Sequence, residues 1–345
     1  MIYEPCEFQL PSGLTLRGFS HEPDTKSQIK TNLGSYSETT SGFSPDTKPK
    51  TRPETKTEAN PQTKPVVLCL HGWLDNAASF LPLWDSLFTV PKQDLSTSSQ
   101  QGLNNSSQHD LHTYTWYSVD FPGHGLSEHR GSDAAYHHTD YILDIAALIE
   151  TQGWDNVILV GHSMGGIVGA SVCALLPERI QHFISIEALG PLVEKPTMTV
   201  QQMRKAMHSR IEQAQKTIKQ PDSLSRVLNA KMKAGKISQE HAEMIMLRNL
   251  REEQERYVWG TDPKLRTVST FRMTQDQAKD IMQNIRCPIL FIKGDSGFVR
   301  IAEQYAERSH WLTTRHKLVT LSGNHYVHMQ APQDLLAAII ECFAD

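Results

Sequence analysis

Gly161-His162-Ser163-Met164-Gly165-Gly166 follows directly on the short apolar run 156–160. One serine among three glycines, where a buried strand would stop, is the pattern of a tight strand-to-helix turn that lifts a hydroxyl into a cavity. A plain helix N-cap serine is the simpler alternative. A serine hydroxyl is a weak nucleophile at neutral pH and needs an adjacent base. Of the 16 histidines, His325 is placed best. It lies in Leu321-Ser322-Gly323-Asn324-His325, between a late strand-like run and the last helical segment, and so at the same sheet edge as Ser163. His328 is a weaker candidate, and His137 and His138 read as surface residues at a helix start. The chemistry such residues suggest is acyl transfer. Its developing oxyanion needs backbone N–H donors, which the Met164 amide and the Trp73 amide of His71-Gly72-Trp73 would supply.

The elements that must position these residues are legible as an alternation. Continuous apolar runs of strand length occur at 66–70, 114–119, 157–160, 183–186, 288–292 and 317–321, as expected for strands buried on both faces of a parallel sheet. Helical patterns at 134–152 and 332–343 lie among them, with Leu335, Leu336, Ile339 and Ile340 sharing one face of the latter. A β-hairpin is expected around Pro11-Ser12-Gly13. The fold class is therefore α/β, a doubly wound, mostly parallel sheet. Segment 192–286 has no strand-like run and reads as an inserted helical cap, leaving 1–191 and 287–345 as the core. Two polar stretches, about 23–64 and 92–112, are too poor in apolar residues to offset their ordering entropy and read as surface insertions.

Composition narrows the class further. A net charge of −4 over 345 residues gives no basic field for nucleic acid. No apolar stretch is long enough for a transmembrane span, and the N-terminus lacks a signal-peptide pattern. Five scattered cysteines (Cys6, Cys69, Cys173, Cys287 and Cys342) form no C-x-x-C pair, so neither a disulfide framework nor a zinc knuckle is expected. No metal-binding spacing such as H-E-x-x-H is present. These features lead to the expectation of a soluble, cytoplasmic protein without metal or cofactor, of open oligomeric state.

In order and spacing, His71-Gly72-Trp73, Asp120-Phe121-Pro122-Gly123-His124-Gly125-Leu126-Ser127, Gly161-His162-Ser163-Met164-Gly165-Gly166 and Gly323-Asn324-His325 resemble the α/β-hydrolase family. The extended motifs 71–76 and 323–329 are most similar to its serine hydrolase-like branch. The resemblance covers nearly the whole chain apart from the polar insertions and the cap. It implies Ser163 as nucleophile, His325 as base and hydrolysis of a small-molecule ester without a cofactor, with Asp120 structural. The third catalytic member departs from the family pattern. The usual acid position, three residues beyond a glycine after the strand 288–292, is Gly297 here, and Asp295 comes two residues early. Some relatives carry the acid after the preceding strand, where this chain has Glu187. Glu187 is the favoured acid and Asp295 the alternative. Serine at position 163 disfavours haloalkane dehalogenase and epoxide hydrolase chemistry. Thioesterase, C–C hydrolase, perhydrolase and acyltransferase activities stay open, as does a non-catalytic binding protein on the same fold.

Overall fold

The computed structural model describes residues 3–23, 65–89 and 110–344. The polar stretches expected at 23–64 and 92–112 fall almost entirely outside the described residues. Within the second, Leu111–Thr113 forms a 3-10 turn with Leu111 buried.

Eight strands form one sheet. They are β1 (Glu4–Gln9), β2 (Thr15–His21), β3 (Val66–Leu70), β4 (Thr115–Val119), β5 (Val157–His162), β6 (Ile180–Ile186), β9 (Ile289–Gly294) and β10 (His316–Leu321), in the spatial order β1-β2-β4-β3-β5-β6-β9-β10. β1 and β2 form the expected antiparallel hairpin, and β2 runs antiparallel to β4; every other pairing is parallel. The runs in β3 and β5 are buried along their whole length because helices cover both faces. One face packs on α1 (Leu81–Phe88) and α10 (Pro332–Ala344), with Trp84, Leu335, Leu336 and Ile339 in the core. The other packs on α2 (His138–Thr151) and α3 (Met164–Leu175), through residues such as Ile145, Leu148, Val168 and Val172.

Between β6 and β9 lie α4 (Thr199–Gln215), α5 (Leu224–Gly235), α6 (Gln239–Asn249), a two-stranded antiparallel ribbon of β7 (Leu250–Glu253) and β8 (Arg256–Trp259), and α7 (Gln275–Asn284). The ribbon corrects the expectation of a purely helical insertion. The last helix also differs in its surroundings, for Ala278 and Met282 of α7, with Ile285 after it, join the main core cluster with α3. Helices α5 and α6 build their own small core from Val227, Leu228, Ala242, Ile245 and Met246, which Met329, in the short helix after β10, completes. The shorter helices α8 (Arg300–Arg308) and α9 (Val327–Gln330) flank the last strand.

Candidate active site

Ser163 stands between the end of β5 and the start of α3 with φ +51° and ψ −112°, a conformation that costs a non-glycine residue of the order of 1–3 kcal/mol. Two backbone approaches make the turn possible. A Cβ on Gly165 would lie 2.0 Å from the Leu70 carbonyl oxygen, and one on Gly161 would lie 2.4 Å from the Gly165 carbonyl oxygen. Only glycine permits both. The Ser163 N–H donates to the Ile186 carbonyl at 2.8 Å, which ties the turn to the end of β6.

The oxyanion-loop candidates arrive on the strand on the other side of β5. Gly165 N–H donates to the His71 carbonyl at 3.0 Å, fixing the spacing between the Met164 and Trp73 segments. Met164 opens α3, so its N–H has no intrahelical acceptor. His71 holds the loop from within. Its Nε2 accepts from Phe121 N–H at 2.9 Å, which leaves the proton on Nδ1 to donate to the Gly72 carbonyl at 2.7 Å. Burial lowers the His71 pKa to about 4 and keeps it neutral in that role. The Trp73 indole, half exposed, donates to the Leu265 carbonyl at 3.0 Å.

His325 sits on the loop after β10, and its ring Nδ1 donates to Glu187 Oε2 at 3.2 Å. Glu187 is the first residue after β6, held at φ +53° in a turn that Ser185 Oγ closes onto the Ala188 carbonyl. Its carboxylate is buried and accepts two main-chain bonds, from Gly294 N–H at 2.7 Å and Phe298 N–H at 2.8 Å. The space it fills is the one a side chain at the family's usual position would need, since a Cβ on Gly297 would lie 2.2 Å from Glu187 Oε1. Asp295, the alternative, is exposed and accepts from Gly323 N–H at 3.1 Å. That bond is the main cause of its lowered pKa. The structure thus brings Glu187 to His325 and turns Asp295 to another partner. Because β6 and β9 are neighbours in the sheet, both strand ends lie near the histidine loop, and Glu187 is the carboxylate that bonds it. Phe298 stacks its half-exposed ring on the imidazole at 4.0 Å between centroids.

His162 joins the serine turn to the histidine loop. Its Nε2 donates to the His325 carbonyl at 2.8 Å, and its ring packs between those of His325 (4.7 Å) and His328 (4.0 Å). Burial, then the neighbouring His325, lowers its pKa to about 3, so the ring stays neutral. His328, the weaker base candidate, is fully buried beneath this stack and does not open to the site.

A buried ionic brace lies beside the loop after β3. Lys231 Nζ on α5 donates to Asp75 Oδ1 at 2.5 Å and to the Tyr326 hydroxyl at 2.9 Å, and that hydroxyl donates to Asp75 Oδ1 at 3.2 Å. Burial pulls the Lys231 pKa down, yet the Asp75 charge and these bonds outweigh it and the net shift is upward. For Asp75, burial likewise opposes ionisation and Lys231 overcomes it, so the carboxyl pKa is lowered. Three segments distant in sequence are joined here: the loop after β3, the inserted helices and the residue after His325. Asp120 acts similarly, accepting from Ala77 N–H and from the Arg248 guanidinium of α6. Sequence reasoning passed over His162, although it lies inside the serine motif, and Lys231, for which no local signal exists.

Comparison with known proteins agrees with this architecture. Residues 65–332 match the family described as alpha/beta hydrolase fold. The chain belongs to the α/β-hydrolase fold family. Among curated relatives, a serine hydrolase-like protein of Danio rerio is 24% identical over 284 residues, covering 80% of each chain. Serine hydrolase-like protein 2 of Homo sapiens is 26% identical, covering 81% of this chain and 86% of its own. Among solved structures, a hypothetical protein of Pseudomonas aeruginosa PAO1 superposes with a TM-score of 0.71 at 26% identity, covering 98% of this chain and 99% of its own. The family match and these relatives support a hydrolase.

Proposed function

We propose that the protein is a serine hydrolase that cleaves carboxylic esters through an acyl-enzyme, with Ser163 as nucleophile, His325 as base and Glu187 as the orienting acid. The observation that carries this reading is the buried Glu187 carboxylate 3.2 Å from His325 Nδ1, at the sheet edge where Ser163 holds a strained backbone. With Nδ1 engaged, Nε2 is the ring atom that takes the hydroxyl proton. Ser163 Oγ attacks the ester carbonyl carbon as its proton passes to Nε2, and Glu187 stabilises the imidazolium. The carbonyl oxygen becomes an oxyanion between the Trp73 and Met164 N–H groups. The intermediate collapses, and the alkoxide leaves as the alcohol with the proton from Nε2. Water then gives a proton to Nε2 and its oxygen to the acyl carbon, and the carboxylic acid departs as Ser163 regains its proton. The insertion expected at 192–286 would serve as the cap that selects the acyl and alcohol parts. Thioester cleavage and acyl transfer to another acceptor share the first half of this sequence and differ in leaving group or in the second nucleophile.

The test is initial rates of p-nitrophenyl butyrate hydrolysis for the intact protein, Ser163→Ala, Glu187→Gln and Asp295→Asn, each checked for folding. Ser163→Ala abolishes turnover. Glu187→Gln lowers kcat by about 10³–10⁴-fold, as expected when the histidine loses its orienting carboxylate, and Asp295→Asn stays within a few-fold of the intact chain. Turnover that survives Ser163→Ala sinks the nucleophile, and the reverse ranking of the two acid variants sinks Glu187.

A further inference from the structure

Helix α4 faces the wrong way for a helix that ends at its own protein. Its inner side is polar or small. Gln202 Nε2 donates to the Ser269 carbonyl at 2.5 Å, Ala206 is 1% exposed, and Ser209 Oγ accepts from Val268 N–H at 3.0 Å. Its outer side carries Val200, Met203, Met207 and Ile211, exposed by 67%, 43%, 50% and 47%. At about 100° per residue these four fall within one stripe of roughly 80°, its centre about 130° around the helix from that of Gln202, Ala206 and Ser209. A surface helix normally turns its apolar stripe to the core. Here the inversion spans the whole helix, and Phe271 adds a further exposed ring beside Thr270, which Arg210 contacts.

Charge indicates what covers the stripe. The protein carries a net charge of −4, yet segment 195–219 holds Lys195, Arg204, Lys205, Arg210, Lys216 and Lys219 against the single carboxylate Glu212. Arg204 and Arg210 flank the stripe on its two sides, where long side chains reach outward while their stems extend the apolar surface. The stripe is a convex ridge. A ridge of flexible methionines rimmed by cations suits insertion between acidic headgroups. Among the described residues no helix is long and apolar enough to cross a membrane, so contact at this face is with the membrane surface.

We infer that α4 docks the protein onto an anionic phospholipid surface. On the Arg210 flank, α4 borders a cleft of about 1230 Å³ whose wall includes Ile142, Ile167, Leu192 and Phe271. Lipid association is independent of the chemistry at Ser163, and its readout needs no turnover.

Flotation of the intact protein with phosphatidylserine–phosphatidylcholine vesicles, against pure phosphatidylcholine vesicles, tests the inference. The intact chain floats with the acidic vesicles, and raising salt to about 0.5 M weakens the association as the Debye length shrinks. The double variant M203E/M207E alters only exposed side chains, so its circular dichroism matches that of the intact protein. Its flotation falls at least ~10-fold. R204E/K205E keeps the stripe and loses the preference for acidic vesicles. Absence of flotation by the intact chain overturns the inference, and so does flotation unchanged in M203E/M207E. Self-association of the intact chain that M203E/M207E abolishes, without vesicle binding, assigns the face to a second copy and equally overturns it.

Discussion

The Glu187 carboxylate and the missing side chain at Gly297 compete for one volume, as the 2.2 Å approach shows. An aspartate introduced at 297 would collide with Glu187 and push it off His325. Gly297→Asp alone therefore lowers ester turnover by at least about 10²-fold, the cost of roughly an ångström of misplacement. Adding Glu187→Gly empties the volume and relieves the positive φ at 187. The pair E187G/G297D then regains more than ~10-fold over G297D, because a carboxylate again faces His325 Nδ1. Kinetics on p-nitrophenyl butyrate check both steps, and a double variant no better than G297D would count against a shared volume. At this scale the sequence was informative where chemistry and backbone coincide. Ser163 and His325 stood out because glycines and strand ends mark them. The acid stayed divided between Glu187 and Asp295 because β6 and β9 are sheet neighbours, so both strand ends lie near the histidine loop and only the direction of each side chain separates them. Gly297 was the one residue that hinted at the answer.

Between elements, the Lys231–Asp75–Tyr326 brace locks α5 to the loop after β3 and to the histidine loop. Its side chains are 14% and 2% exposed for Lys231 and Asp75, so removing one partner strands a buried charge. Lys231→Met is expected to cost about 3–5 kcal/mol in urea unfolding. Asp75→Asn in the same chain removes the stranded charge and recovers part of that loss; strict additivity of the two substitutions would rule out the coupling. The ribbon β7–β8 was missed for a physical reason. Each strand has four residues and only Leu250 is buried, too short and too weakly buried a stretch for alternation to mark it. Its turn residues Gln254 and Glu255 adopt positive φ, +49° and +61°, without the Asn-Gly or Asp-Gly that normally announces such a turn. The core strands and α10, by contrast, were plain because burial dictates their side chains.

For the molecule as a whole, burial of neutral histidines sets the response to acid. Burial, the main cause for each, lowers His71 to about 4 and His124 and His162 to about 3. Unfolded, each returns to about 6.5. Between these values the unfolded chain holds more protons than the folded one, so stability rises with pH across the window and falls as pH drops from 6.5 towards 4. It levels off only below the folded values. Each group contributes a slope of about 1.4 kcal/mol per pH unit, and together about 4. The urea midpoint is accordingly flat above neutrality and drops steeply below about pH 6. A midpoint unchanged down to pH 4 would contradict burial of these rings in the neutral form.

With Glu187 as the proposed acid, the loop after β9 need not supply the triad carboxylate. What Glu187 requires from it is two main-chain N–H groups, at Gly294 and Phe298, and main chain is common to nearly every residue type. The loop's exposed side chains, Phe298 and Val299 at 53% and 80%, are therefore open to drift or to redesign for new substrates, so long as the path of the backbone is kept. Saturation mutagenesis at 298 would find most replacements active and proline inactive, since proline alone deletes the donor. In this loop what Glu187 demands is the path of the backbone rather than the identity of the side chains.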